Sequence, residues 1–319
     1  MSAALFQAKF TVPAVPATYR SRPRLDGAWR RWTPARLVRI SAGAGWGKTS
    51  LVARRARSLG RGAVWYSLDE LDRDPSVLAA HLSAACELPG AADQPPVEQL
   101  AGIVGALARR RLLVLDDLQA IAGATEARRW VGRLLRYLDP ACQLVLLSRE
   151  RISLREAALE TRGEAVRLAA TDLAFTATEC RTLLRQRLGR AACEPIADRV
   201  HALTEGWPAG LEIVCRTLAQ AVPDDHGAVL DRLADRGGWF DQFVGDILDD
   251  LDPATRDFLL RTSVLPELTP SLCDQLRRQD DSAGVLARLE ETGLPVVAVG
   301  DGHWRYHTLL RECLRRRGA

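Results

Sequence analysis

The chain has 319 residues, is 47% hydrophobic and carries 44 Lys/Arg against 40 Asp/Glu, a formal net charge of +4. That length and apolar content can bury cores for two or three domains, and so small a net charge demands no nucleic-acid partner. No apolar run reaches the ~18 residues of a membrane span, the start lacks the basic-then-apolar order of a signal peptide, and the seven cysteines form no C-x-x-C pair, so a cytoplasmic protein with reduced thiols is expected rather than a membrane, disulfide-framed or zinc protein.

The charge is unevenly spread, since residues 1–62 hold 13 Lys/Arg against the single acid Asp26. A basic end of this kind attracts phosphate, DNA or an acidic partner, or is simply solvated surface around an anion site. Residues 11–35 contain four prolines and read as an extended lead-in. Leu37–Ile40 is a short strand, followed by a glycine-rich loop and a helical run from Thr49 to about Ser58. Ala63–Leu68 is a second strand, ending in the acidic turn Asp69–Asp74, and Val77–Cys86 is apolar at helical spacing. After a loop at 90–96 comes a helix over Val97–Arg110, then the wholly apolar strand Leu112–Leu115. Arg128–Leu138 is helical, Gln143–Leu147 is a fourth buried strand, and Val166–Leu168 supplies a last one. Short apolar strands alternating with helices indicate a parallel sheet covered on both faces.

After Asp172 the pattern changes. Thr176–Leu188, Pro195–Thr204 and Ala209–Ala221 read as helices without strands between them. Further helices are expected near Pro253–Thr262, Pro270–Arg278 and Ser282–Thr292. Leu294–Val299 and His303–His307 then face each other across Gly300-Asp301-Gly302, a hairpin signal. The expected fold is therefore α/β: a parallel sheet with helices on both faces over residues 1–170, of the P-loop NTPase kind by its loop Ala42-Gly43-Ala44-Gly45-Trp46-Gly47-Lys48-Thr49, then a helical module over 171–238 and a winged-helix domain over 239–319.

The chemistry starts at Ala42-Gly43-Ala44-Gly45-Trp46-Gly47-Lys48-Thr49-Ser50. A glycine-rich turn between a strand and a helix surrounds phosphates with backbone N–H groups, the lysine reaches the β- and γ-oxygens, and the hydroxyl binds magnesium. Lys48 and Thr49 take those roles, which predicts ATP or ADP with Mg2+. Ala42 stands where a glycine is usual, and is tolerable if its backbone stays in the ordinary region. Lys48 is also one of only two lysines, the other being Lys9; every other basic residue is arginine. A compact ammonium suits a phosphate cradle that a planar guanidinium would not fit. Leu112–Leu115 followed by Asp116-Asp117 has the form of a Walker B strand. Asp116 would hold magnesium, and Asp117 stands where fast ATPases carry a water-orienting glutamate. Aspartate is one methylene shorter, so slow hydrolysis is expected. Arg149, at the end of the fourth strand, would sense the γ-phosphate.

A resemblance follows from an ordered set of stretches: Ser21–Leu25, Ala42–Leu51, Val64–Asp69, Leu115–Asp117, Leu146–Arg149, Asp172–Phe175, Thr204–Leu211 and Trp304–Leu310. In that order they resemble the nucleotide-binding core of the MalT-like signal-transducing ATPases with numerous domains (STAND), the large LuxR-type regulators. The family's loop also starts with alanine, which accounts for Ala42. The resemblance implies that Arg22 lies near the adenine or phosphates, that Pro208 presses on the adenine, and that His307 reaches the β-phosphate of ADP and holds a closed form. Thr308 replaces the family's common second histidine. Such proteins continue into a superhelical arm and a DNA-reading helix-turn-helix, neither of which is visible before Ala319, leaving open a fragment of a longer regulator or a short relative.

The function so implied is a switch in signalling or transcription regulation, a slow Mg-dependent ATPase whose ADP form is closed and whose ATP form self-associates, under an inducer or regulatory protein that the sequence does not name. The alternative is a regulator that binds DNA directly through its winged helix. Against it, Ser282–Thr292 is acidic for a recognition helix, with Asp281, Glu290 and Glu291 against the single Arg288.

Overall fold

The computed structural model describes residues 7–15, 19–88, 94–154, 156–236, 248, 251–292, 296–300, 302–306 and 308–318. The chain divides into two units, Met1–Ala42 with Gly47–Leu173, and Gly43–Trp46 with Ala174–Ala319.

The first unit is built on five parallel strands: β1 (Leu37–Ser41), β2 (Ala63–Ser67), β3 (Leu112–Asp116), β4 (Gln143–Ser148) and β5 (Ala165–Leu168). Their spatial order is β2-β3-β4-β1-β5. Every residue of β3 and β4 is buried, which is why these strands read as continuous apolar runs rather than alternating ones. Ser41 pairs with Ser148, and Leu115 with Leu146. The carboxyl ends of β1, β3 and β4 therefore share one edge of the sheet, the edge at which parallel α/β sheets bind ligands.

The helices of this unit pack one apolar face each. In Thr125–Tyr137 the buried residues are Ala127, Trp130, Val131, Leu134 and Leu135, a 3.6-residue repeat. Burying each of the larger ones contributes about 1.5–3 kcal/mol. Residues 11–35 are not an extended lead-in throughout, because Pro23–Trp32 is a helix with Leu25, Ala28 and Trp29 buried. Pro23 sits in the first turn, where a missing N–H costs nothing, and Pro34 lies beyond the end. The acidic turn after β2 hides a fully buried carboxylate. Asp72 accepts from Lys9 Nζ at 2.9 Å and from the Tyr66 hydroxyl, and lies 3.1 Å from His81 Nδ1.

In the second unit, Ala177–Leu188 opens with a reciprocal cap between Thr176 and Glu179. It packs with Ala197–Thr204, Pro208–Ala219 and His226–Arg236 around a core that includes Leu183, Leu184, Val200, Leu211, Val214 and Leu218. Helices Pro253–Thr262, Pro270–Arg277 and Ser282–Thr292 follow, then the antiparallel hairpin β6 (Val296–Gly300) and β7 (His303–Tyr306), and the helix Thr308–Gly318. The expected boundary at 238/239 falls outside the described residues. All seven cysteines are free and buried, and burial pushes the thiols of Cys86, Cys142, Cys180 and Cys215 up to about 12. Among the described residues no helix is long and apolar enough to cross a membrane.

Candidate functional site

The site is assembled where β1 ends. Ala42 N–H donates to Ser148 O at 3.2 Å, continuing the ladder between β1 and β4. Ala42 is absent from the left-handed backbone region, so its side chain costs nothing there. Gly45 and Gly47 do need glycine's freedom, with φ of +75° and +76°. Gly47 caps the helix Lys48–Leu59, whose first-turn N–H groups, including those of Lys48, Thr49 and Ser50, have no carbonyl partner within the helix.

Lys48 Nζ donates to Ala42 O at 2.5 Å. Burial pulls its pKa down to about 8, against the upward pull of the carboxylates Asp116 and Asp117, with Arg149 adding a smaller downward push. Thr49 Oγ1 donates to Asp116 Oδ2 at 3.0 Å, and Asp117 N–H donates to Asp116 Oδ1 at 2.9 Å. Asp116 is only 4% exposed. Burial and the neighbouring Asp117 charge push its pKa up to about 6, although Thr49 and Lys48 oppose them. A lysine lowered and an aspartate raised in one place mark a cluster that holds charge at a cost, as ligand sites do.

Asp117 is exposed and left-handed at φ +55°, a conformation that costs a non-glycine residue roughly 1–2 kcal/mol. Its Oδ1 accepts from Gln119 Nε2 at 2.7 Å. The other end of the same amide, Gln119 Oε1, accepts from Arg149 N–H at 3.0 Å and from Ser148 Oγ at 3.4 Å. Gln119 therefore ties the acidic pair after β3 to the end of β4. Sequence reasoning missed it, because its importance follows from β3 and β4 being neighbours.

Arg22 is buried at 2% exposure and its Nη1 donates to Leu173 O. A Cβ added to Gly47 would lie 3.8 Å from Arg22 Nη2, so this guanidinium stands beside the loop. The loop tip Gly43–Trp46 groups with the second unit. There Gly45 O accepts from Ala209 N–H at 3.1 Å, and Trp207 Nε1 donates to Ala44 O at 3.3 Å. Pro208 is the first residue of its helix and half-buried. His307 lies outside the described residues. Arg149 is exposed at the end of β4.

These donors fit a magnesium-borne polyphosphate. A metal that keeps waters and phosphate oxygens needs few protein ligands, and one hydroxyl with one carboxylate suffices. The pKa of Lys48 carries a prediction. Phosphate binds the ammonium form, so affinity holds below about pH 8 and is lost as pH rises through that value. ADP titrated with magnesium between pH 7 and 9.5 should bind about tenfold more weakly per pH unit above about 8. A flat profile would remove Lys48 from the phosphates.

Comparison with known proteins bears on the fold and the family. Residues 244–319 match a family model described as the MalT winged helix domain. Over 307 aligned residues the chain is 31% identical to the HTH-type transcriptional regulator MalT of Serratia proteamaculans, covering 88% of this chain and 33% of that protein. MalT of Yersinia enterocolitica is 30% identical with the same coverage. The chain thus spans about a third of the length of the curated relatives it matches. Among solved structures it is similar to a Walker-type ATPase of Pyrococcus abyssi, with a TM-score of 0.61 at 14% identity, covering 98% of this chain and 99% of that one. The chain is MalT-like, with a P-loop ATPase fold followed in sequence by a winged helix of the MalT family.

Proposed function

We propose that this chain is the nucleotide-operated core of a MalT-like transcriptional regulator, a switch that retains ADP in a closed form and self-associates with ATP. The observation that carries the reading is the cluster of Lys48, Thr49 and Asp116 at the carboxyl edge of the sheet, with Asp117 held by Gln119. Lys48 and the first-turn amides bind phosphate, and Thr49 with Asp116 holds magnesium, which offsets phosphate charge when bound. Asp117 orients water and accepts its proton. Its short side chain, drawn toward Gln119, keeps hydrolysis slow. Arg149 answers to the γ-phosphate, while Arg22, Pro208 and His307 belong to the ADP-retaining state.

A nucleotide moves such an equilibrium only through unequal affinity for the two forms; going from 1:99 to 99:1 takes a difference of about 10⁴-fold. The test is the nucleotide released on denaturing the purified protein, together with sedimentation in ADP and in a non-hydrolysable ATP analogue. ADP near one equivalent and a larger species only with the ATP analogue are expected. Absence of nucleotide, or equal mass in both, would sink the reading. A second reading, duplex binding by the winged helix itself, rests on the match over 244–319. A DNA mobility shift by this chain at two salt concentrations separates the two.

A further inference from the structure

We propose that a cavity of about 420 Å³ at the amino-terminal edge of the five-stranded sheet binds a small phosphorylated molecule carrying two or more negative charges. Its walls include Arg55 from the helix Lys48–Leu59, the run Arg109-Arg110-Arg111 leading into β3, and Gln143 at the start of β4, with Thr33 nearby. No Asp or Glu is among its described lining residues. The cavity sits at the opposite end of β3 from Asp116, roughly 15 Å away along a five-residue strand. It is therefore a separate place from the loop at Lys48.

The charge there is not balanced by the described residues. Arg110 is engaged, donating to Arg61 O and facing the exposed Glu87 at 3.5 Å. Arg109 and Arg111 form no ion pair among the described residues. Arg55 is half-buried, and its Nε is buried without a hydrogen-bond partner among the described residues. Two helices, Lys48–Leu59 and Pro96–Leu107, end close to this edge. Their carbonyl ends supply together about one negative charge, at roughly half a charge each. Set against four guanidinium groups and one carboxylate, that leaves an excess of about two positive charges. The buried Arg55 Nε is costly to leave without an acceptor, and an anion drawn in by the neighbouring arginines supplies one. Guanidinium forks fit phosphate oxygens in pairs, which a single chloride does not use. The floor is preset, since Gln143 Nε2 donates to Trp32 O at 2.6 Å and to Ala35 O at 2.7 Å.

Inorganic pyrophosphate, titrated calorimetrically into the full chain saturated with ADP and magnesium, should bind at one site per chain. The same titration into Lys48→Ala protein without nucleotide should give the same affinity, which frees the result from the switch reading. Arg55→Gln, and separately the pair Arg109→Gln with Arg111→Gln, should each weaken pyrophosphate by at least about tenfold, with the melting temperature and ADP affinity unchanged. Arg109 and Arg111 are exposed, so their variant keeps the fold even if Arg55→Gln does not. No binding in the wild type, or equal affinity in wild type and variants, would overturn the proposal. So would binding of a DNA duplex that the arginine variants weaken while pyrophosphate does not bind, which would assign these arginines to nucleic acid.

Discussion

Lys48→Ala should weaken ATP and ADP about 100-fold or more while leaving the free protein as stable as before. The ammonium would make at least two charge-assisted hydrogen bonds to phosphate, each contributing about 1.5–3 kcal/mol, and 100-fold is about 2.7 kcal/mol. The usual penalty for deleting a buried, hydrogen-bonded group is offset here. Burial already pulls Lys48 down to about 8, so the folded free protein holds this charge unwillingly. Removing it relieves that strain while losing the bond to Ala42 O. The unfolding free energy of the variant should stay within about 1 kcal/mol of the wild type. Lys48→Arg should not restore binding, because a planar fork does not fit where a point charge does. Equilibrium binding and urea unfolding measure both halves. Normal ATP binding by Lys48→Ala would overturn the nucleotide site itself.

Gly206→Ala should be the most damaging small substitution in the second unit, costing about 3 kcal/mol or more. Two effects add. Gly206 is left-handed at φ +74°, and an added Cβ would lie 2.2 Å from Phe175 O and 2.9 Å from Phe175 N. The colliding atoms are backbone, held in place by the bond from Phe175 N–H to Gly206 O at 2.8 Å. Nothing can rotate away. Gly302→Ala separates the two effects, because it is left-handed at φ +76° with nothing within 4 Å of the added Cβ. It should cost only the conformational part, roughly 1 kcal/mol. Equal losses for both variants in urea unfolding would show that the steric argument is wrong.

Much of the first unit was legible because its signals are local. Strands β3 and β4 are runs of Leu and Val, β1, β2 and β5 are short stretches rich in apolar residues, and the loop at Ala42–Thr49 declares its own chemistry. The helix Pro23–Trp32 is masked in the sequence by the prolines around it. Leu25, Ala28 and Trp29 lie at i, i+3 and i+4, and the prolines flank the helix without interrupting it. The order β2-β3-β4-β1-β5 is a matter of distant pairing, and with it went the bridge of Gln119 to Ser148 and Arg149. The burial of Asp72 was equally hidden. An acidic turn usually faces water, and this one is neutralised by Lys9 from more than sixty residues earlier.

The buried cysteines have a practical corollary. Thiolates are the species that react with maleimides and oxidants, and thiols raised to about 12 supply almost none at neutral pH. With all seven enclosed, the folded chain is a nearly silent background for sulfhydryl labelling. A single cysteine introduced on an exposed face would report as the dominant fluorophore or spin-label site, with no need to strip the native ones first.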